Sequence, residues 1–305
     1  MEEKWIYPRQ KQFERTLREN ASNWFKDKGF KTHPKMPYCL DSWENWKNNI
    51  ILSEVTEFIN DCKNKAEVNG KPYPLHKYLH HGLSSQAMAF NLFGPLITRN
   101  DFSPLSNLLK DKFGFDIKIE TGVFEYEDRK VFNETGGQPT SIDIVLKDEN
   151  EKPTVFIECK LVEREFGGCS IFTDGDCPGM NPVNDLKECY LHFIGRKYWD
   201  LMTKYGITHL MNNDRICPFT SYYQFFREII FSIENGGPFI LLCDERSAVF
   251  EVTPSRGLVP FLRTYLPENL KNAINVLTVQ ELLSSIKQSG RHNDWVVDFG
   301  LKYGI

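Results

Sequence analysis

Two short apolar segments carry charges where a buried strand has no use for them. SIDIVL at 141–146 sets Asp143 among β-branched residues, and fifteen residues further on FIECKL at 156–161 carries Glu158 and Lys160. Side chains two apart on a strand share a face, so Glu158 and Lys160 project together with Phe156, while Ile157 and Cys159 face the other way. The polar stretch KDENEKP at 147–153 reads as a hairpin connection that brings Asp143 alongside. Two carboxylates meeting at a sheet edge, with the backbone carbonyl of Cys159 in reach, form an oxygen-rich site suited to a hard cation, Mg²⁺ or Mn²⁺, which keeps waters and an open face for phosphate oxygens. Such an ion lowers the pKa of a bound water and neutralises charge on a scissile phosphate; Lys160 then orients or deprotonates the water, or stabilises the crowded phosphate. A structural ion pair is the plain alternative for the same residues.

The elements that must position these residues follow from pattern. Helical spacing marks Gln10 to Lys28 and Trp43 to Asp61, with a third helix within His76 to Leu96, ended by Gly94 and Pro95, and a fourth near Pro104 to Lys112. Alternation predicts a strand from Ile117 to Glu127, then Ser141 to Leu146 and Thr154 to Leu161, an antiparallel meander. Helices are expected at Val183 to Tyr205 and Ser221 to Glu234, a buried strand at Pro238 to Cys243, and closing helices at Phe261 to Tyr265 and Leu270 to Lys287. Residues 1–112 thus form a helical N-terminal region packed on a core at 113–305 that holds a cysteine-containing insertion. No repeat or low-complexity linker separates the two, so one continuous domain stays open.

Composition narrows the class. With 305 residues, 41% hydrophobic and 26% charged, the chain can bury a sizeable core. The longest apolar runs are short, Phe239 to Cys243 among them, and no stretch approaches a membrane span. The N-terminus MEEKWIYPRQ opens on acidic residues without the apolar core of a secretory signal, which places the protein in the cytoplasm. A formal charge of −4 gives no global attraction to a polyanion, so nucleic-acid binding needs a local basic surface.

Eight cysteines in a reducing compartment are thiols, core packing or metal ligands rather than disulfides. Cys169, Cys177, Cys189 and Cys217, with His192 and His209 nearby, admit a second metal, zinc or an iron–sulfur cluster, although no C-x2-C or C-x4-C pair supplies the usual knuckle. Cys169 and Cys177 bracket TDGD in a loop without apolar periodicity, which is odd for cysteines that only pack a core. Cys39, Cys62 and Cys243 read as buried apolar positions. Adjacent His80 and His81 point about 100° apart on a helix and do not share a metal. Glu163, Glu165, Arg164, Lys187, Arg196 and Lys197 surround the site in sequence and read mainly as solvated charge.

The arrangement of Asp143, Glu158 and Lys160 on two consecutive strands resembles the PD-(D/E)xK nuclease superfamily, of restriction-endonuclease-like fold. The proline that precedes the aspartate in that pattern is displaced here to Pro139, with Ile142 directly before Asp143. The resemblance implies an α/β fold: a mixed sheet flanked by helices, with the helical N-terminal region packed on it. It also implies a glutamine on a following helix, which Gln224 in SYYQFFREI supplies, with Tyr223 and Arg227 within one turn to contact phosphate. A polar residue from a preceding helix is implied too; Gln86 is favoured over Glu54 and Glu57. SSQAMAFNLFGPL, TSIDIVL, IECKL, the cysteine-bearing segment and YYQFFRE together are similar to a group of bacterial restriction endonucleases over roughly residues 80–235. The implied activity is Mg²⁺-dependent hydrolysis of double-stranded DNA. A partner methyltransferase and a homodimer fit a restriction role. Left open beside it are an exonuclease or repair nuclease of the same superfamily with zinc or iron–sulfur, and a relative that binds nucleic acid without turnover.

Overall fold

A computed structural model describes residues 10–305. The reading of the N-terminus rests on residues outside this range. The chain opens with α1 (Lys11–Asp27), which buries Phe13, Leu17, Trp24 and Phe25 along one stripe, and a hairpin of β1 (Thr32–His33) and β2 (Met36–Leu40). Helices α2 (Ser53–Val68), α3 (Ser85–Thr98) and α4 (Ser103–Phe113) follow. Strands β3 (Thr121–Glu127), β4 (Ser141–Lys147) and β5 (Pro153–Lys160) form the expected antiparallel meander. Beyond β5 the chain makes only one-turn helices, α5 (Ser170–Thr173) and α6 (Tyr190–Phe193), before α7 (Tyr198–Lys204) and the long α8 (Phe219–Glu234). The fold closes with β6 (Phe239–Cys243), α9 (Leu258–Arg263), β7 (Ile274–Thr278), α10 (Val279–Ser289) and α11 (Asn293–Tyr303).

The main sheet has the order β3-β4-β5-β6-β7, antiparallel from β3 to β5 and parallel from β5 to β7. This is the mixed sheet flanked by helices that the sequence predicts. Period-two alternation sorts the strand residues onto two cores. On one face Ile144, Leu146, Ile157, Ile240, Leu242 and Leu277 pack with α3, and on the other Val145, Phe156, Phe239 and Leu241 pack with α8. Burying a sheet on both faces is what lets β6 be wholly apolar.

Six expectations are corrected. Gly94 and Pro95 do not end α3, which runs on to Thr98, because every residue from Gln86 to Leu96 is buried. A Cβ at Gly94 would lie 2.5 Å from a Val55 methyl, so the glycine is there to let α2 approach. Trp43 to Asp61 is two pieces, a 3₁₀ turn over Trp43–Asn49 and α2, separated where the Ile51 N–H donates to Asn91 Oδ1 at 2.7 Å. Val183 to Tyr205 is broken near Gly195, whose φ is +81°. Leu270 to Lys287 contains β7 as well as α10: Ile274, Val276 and Leu277 are buried beside β6, and the helix begins only at a capping box between Thr278 and Glu281. The expected sheet-edge location of the carboxylates also changes, since β4 and β5 are the second and third of five strands. Cys39 and Cys243 are buried as expected, but Cys62 is only half-buried.

Candidate active site

The register of the meander lines up three acids. Ile144 pairs with Ile157 and Val145 with Phe156, so the same register sets Asp143 across from Glu158. On the other side Phe124 pairs with Ile144 and Tyr126 with Ile142, which sets Glu125 across from Asp143. Glu125 has a left-handed φ of 54°, a local distortion of β3 rarely adopted by a residue with a side chain. All three line an open cleft of about 890 Å³ together with Lys160, Gln224 and Gln86. Its size suits a ligand site.

Hydrogen bonds fix the arrangement. Asp143 Oδ2 accepts the Cys159 backbone N–H at 2.8 Å, which ties β4 to β5 beside Glu158. Lys160 Nζ donates to Glu158 Oε1 at 2.6 Å and to Gln224 Oε1 at 2.9 Å, while Gln224 Nε2 donates to Glu158 Oε1 at 2.8 Å. Glu158 and Lys160 are 3% and 6% exposed, so this ion pair lies out of water, with the half-buried Gln224 at its edge. Gln224 reaches it because the segment after β5 braces the start of α8: the Gln224 N–H donates to the Phe166 carbonyl and the Tyr223 N–H to that of Gly167. At Tyr222 the helix is kinked, with φ −132°.

Glu158 Oε2 and both carboxyl oxygens of Glu228 are buried without a hydrogen-bond partner among the described residues. Glu228 lies one turn beyond Gln224 and lines the same cleft. Burial, and then the charge of Glu158, pushes the Glu228 carboxyl well above its ordinary range. Asp143 rises for the same reasons, burial first and then Glu158 and Glu125, with Lys160 opposing. Burial lifts Glu125 from 4.5 to about 7, despite hydrogen bonds from Gln86 Nε2 at 2.6 Å and Ser141 Oγ at 3.1 Å. Burial disfavours the Lys160 ammonium, yet Glu158 and Glu228 raise its pKa overall. The cleft therefore crowds more carboxyl groups around Lys160 than that one ammonium pairs with, and their upward shifts follow from burial and mutual repulsion.

The sequence-predicted residues are placed as follows. Asp143, Glu158, Lys160 and Gln224 come together, and Gln86 joins them through Glu125. Tyr223 and Arg227 line the cleft but Arg227 is engaged: it donates to Thr140 Oγ1 at 2.9 Å and Glu134 Oε1 at 3.2 Å, and lies over the Tyr223 ring at 4.6 Å. Arg196, which donates to the Asn133 and Gly136 carbonyls, holds the loop at the cleft mouth. Cys169, Cys177, Cys189 and Cys217 line a separate small cavity. Glu125 and Glu228 were not singled out from sequence. Glu228 carries a usable signal, a carboxylate four residues after Gln224 and so on its helix face.

Among the described residues no three His, Cys, Asp and Glu side chains are arranged to hold a metal ion. Asp143 and Glu158 with the Cys159 carbonyl are a smaller set, the kind that suffices for a Mg²⁺ ion completed by waters and substrate oxygens. The unpartnered Glu158 Oε2 and the surplus of carboxylates fit such a cation.

No helix of the described residues is long and apolar enough to cross a membrane. No curated protein and no solved structure matches the chain. A family model described as Restriction Endonuclease associating with ARP matches residues 18–304, from within α1 to the end of α11 and across the whole acid-lined sheet. With nearly all of its length inside that match and a mixed sheet of the corresponding fold, the chain belongs to this restriction endonuclease family, a nuclease-type family.

Proposed function

We propose that the protein is a divalent-cation-dependent endodeoxyribonuclease that hydrolyses phosphodiester bonds of double-stranded DNA, with Asp143 and Glu158 as cation ligands, Lys160 as the group that acts on water and phosphate, and Gln224 in support. The observation that carries this reading is the meeting of Asp143, Glu158 and Lys160 on adjoining strands at an open, carboxylate-rich cleft with unpartnered oxygens. Asp143, Glu158 and the Cys159 carbonyl would hold Mg²⁺ or Mn²⁺. When bound, the cation supplies positive charge to a scissile phosphate and acidifies water. Lys160 stays protonated in its acidic setting and so serves as a fixed positive charge beside the phosphate and a donor that orients the attacking water. Gln224 holds that ammonium in place.

A closed circular plasmid tests the claim, because it offers no end to an exonuclease. Incubation of unmodified plasmid with protein and Mg²⁺ should give nicked and linear products with mappable ends, and Asp143→Ala should give none. A plasmid left intact at all divalent concentrations refutes the assignment.

One observation favours a second reading. Lys160 lies against Glu158 with both nearly buried, which is also how a purely structural pair looks. A non-catalytic nucleic-acid-binding relative would show no specific Mg²⁺ or Mn²⁺ binding by calorimetry, whereas the nuclease would.

A further inference from the structure

Between β5 and α7 the chain runs from residue 161 to residue 197 with nothing longer than a one-turn helix. Segments of that length without secondary structure need something to organise them. This one has little core of its own: Phe172, Met180, Tyr190, Phe193 and Ile194, five of the twelve exposed large hydrophobics among the described residues, lie within it. Yet its cysteines are gathered. Cys169, Cys177 and Cys189 from the segment and Cys217, just before α8, all line one cavity of about 30 Å³ whose other walls include Phe172, Leu191 and Phe219.

We propose that these four thiols are the ligands of an iron–sulfur cluster that fastens the irregular segment to the start of α8. Four cysteines lining one largely apolar cavity suit a soft, thiolate-bound centre. A single tetrahedral zinc would draw the sulfurs to within about 3.8 Å of each other, from Zn–S bonds of about 2.3 Å. The four cysteines line one cavity, yet among the described residues no three ligating side chains are gathered for one ion; a cluster, which spreads its cysteine ligands over several irons, spaces them more widely. Two sulfurs already receive N–H donors, Cys189 from Trp199 Nε1 at 3.3 Å and Cys177 from the Gly179 amide at 3.4 Å, as cluster sulfurs do. On ligation each thiol gives up its proton. No electron-transfer role is invoked.

The location gives the cluster its consequence. The Cys169 N–H donates to the Phe219 carbonyl at 2.7 Å, and the Cys217 N–H to the Gly179 carbonyl at 2.8 Å. Two residues before Cys169, Gly167 holds the Tyr223 amide at the α8 kink, next to Gln224. The cluster thus anchors the segment that sets Gln224, and it acts on the cleft by position only.

Protein purified without oxygen, or reconstituted anaerobically with ferric iron, sulfide and a thiol reductant, should be brown and hold iron and acid-labile sulfide in equal amounts. Cys177→Ser and Cys189→Ser should each lose that colour and iron, while Cys62→Ser, on α2, should keep both. Because the wild-type metal content is itself decisive, a variant that misfolds, seen by circular dichroism, leaves the proposal testable. Colourless wild-type protein without iron after reconstitution overturns it, and so does one zinc per chain without sulfide. Neither result bears on whether the cleft cuts DNA, which the plasmid assay decides separately.

Discussion

Gln224 braces Lys160 rather than merely neighbouring it: its Oε1 accepts from the ammonium at 2.9 Å while its Nε2 donates to Glu158 Oε1 at 2.8 Å. One side chain therefore clamps both partners of the Lys160–Glu158 pair. Gln224→Leu keeps the volume and removes both bonds. Plasmid nicking by this variant should slow by at least about ten-fold, roughly 1.4 kcal/mol of barrier, with an unchanged thermal melt. A nicking rate equal to wild type would show that the brace has no part in turnover.

Removing the cation itself is harsher. Lys160→Met leaves Glu158 buried beside Asp143 and Glu228 without its paired ammonium, and breaking a buried pair costs about 3–5 kcal/mol. The variant should melt well below wild type in chelator and cut nothing. Mg²⁺ should restore part of the melting temperature, since a bound cation replaces the missing positive charge, but not the cleavage. Full stability in chelator would mean that the carboxylates do not depend on Lys160.

Glu228 poses the opposite case. Both of its oxygens are buried without partners among the described residues, and its carboxyl is pushed upward by burial and by Glu158. Glu228→Gln removes the charge at constant shape, so the cation-free protein should gain stability, on the order of 1 kcal/mol for each pKa unit relieved. The stabilisation produced by Mn²⁺ should shrink in the same variant, as measured by paired melts with and without the ion. An unchanged Mn²⁺ effect would place Glu228 outside the cation's field.

What was legible in advance divides along physical lines. Asp143, Glu158 and Lys160 stand out because a charge in an apolar, β-branched strand breaks the pattern its neighbours set. Glu125 does not, because IKIETGVFEYE alternates like any half-exposed strand, and only the register and a left-handed φ of 54° bring it beside Asp143. The strand β7 is hidden for another reason: INVLT runs straight into the helix-period residues of α10, and its strand state comes from parallel pairing with β6, a long-range contact. The local clue was there, since Thr278 and Glu281 have capping-box spacing and mark where the helix begins. The four cysteines, spread over 49 residues, could be grouped from sequence only as a possibility, because no knuckle spacing joins them and loops bring them to one cavity.

Far from the cleft, Lys302 tests how much burial of a lone charge costs this fold. It is fully buried on α11, donates to the Asn49 carbonyl, and lies 4.6 Å from the Trp24 ring, with no carboxylate paired to it among the described residues. Burial holds its pKa well below 10.5. Below its folded pKa the ammonium is charged in both states and the folded chain carries the whole desolvation cost. Between that pKa and 10.5 the unfolded chain binds the proton more, so stability rises with pH. Lys302→Met removes the charge and leaves the Asn49 carbonyl its other donor, Asn91 Nδ2 at 3.0 Å. The variant should be more stable near neutral pH, because the relieved desolvation outweighs the lost cation–π contact of about 1–2 kcal/mol. Its advantage should narrow as pH climbs toward 10.5. Melting curves of both proteins across that range decide the point: a constant gap, or a less stable variant, would mean that the lysine's packing outweighs its charge.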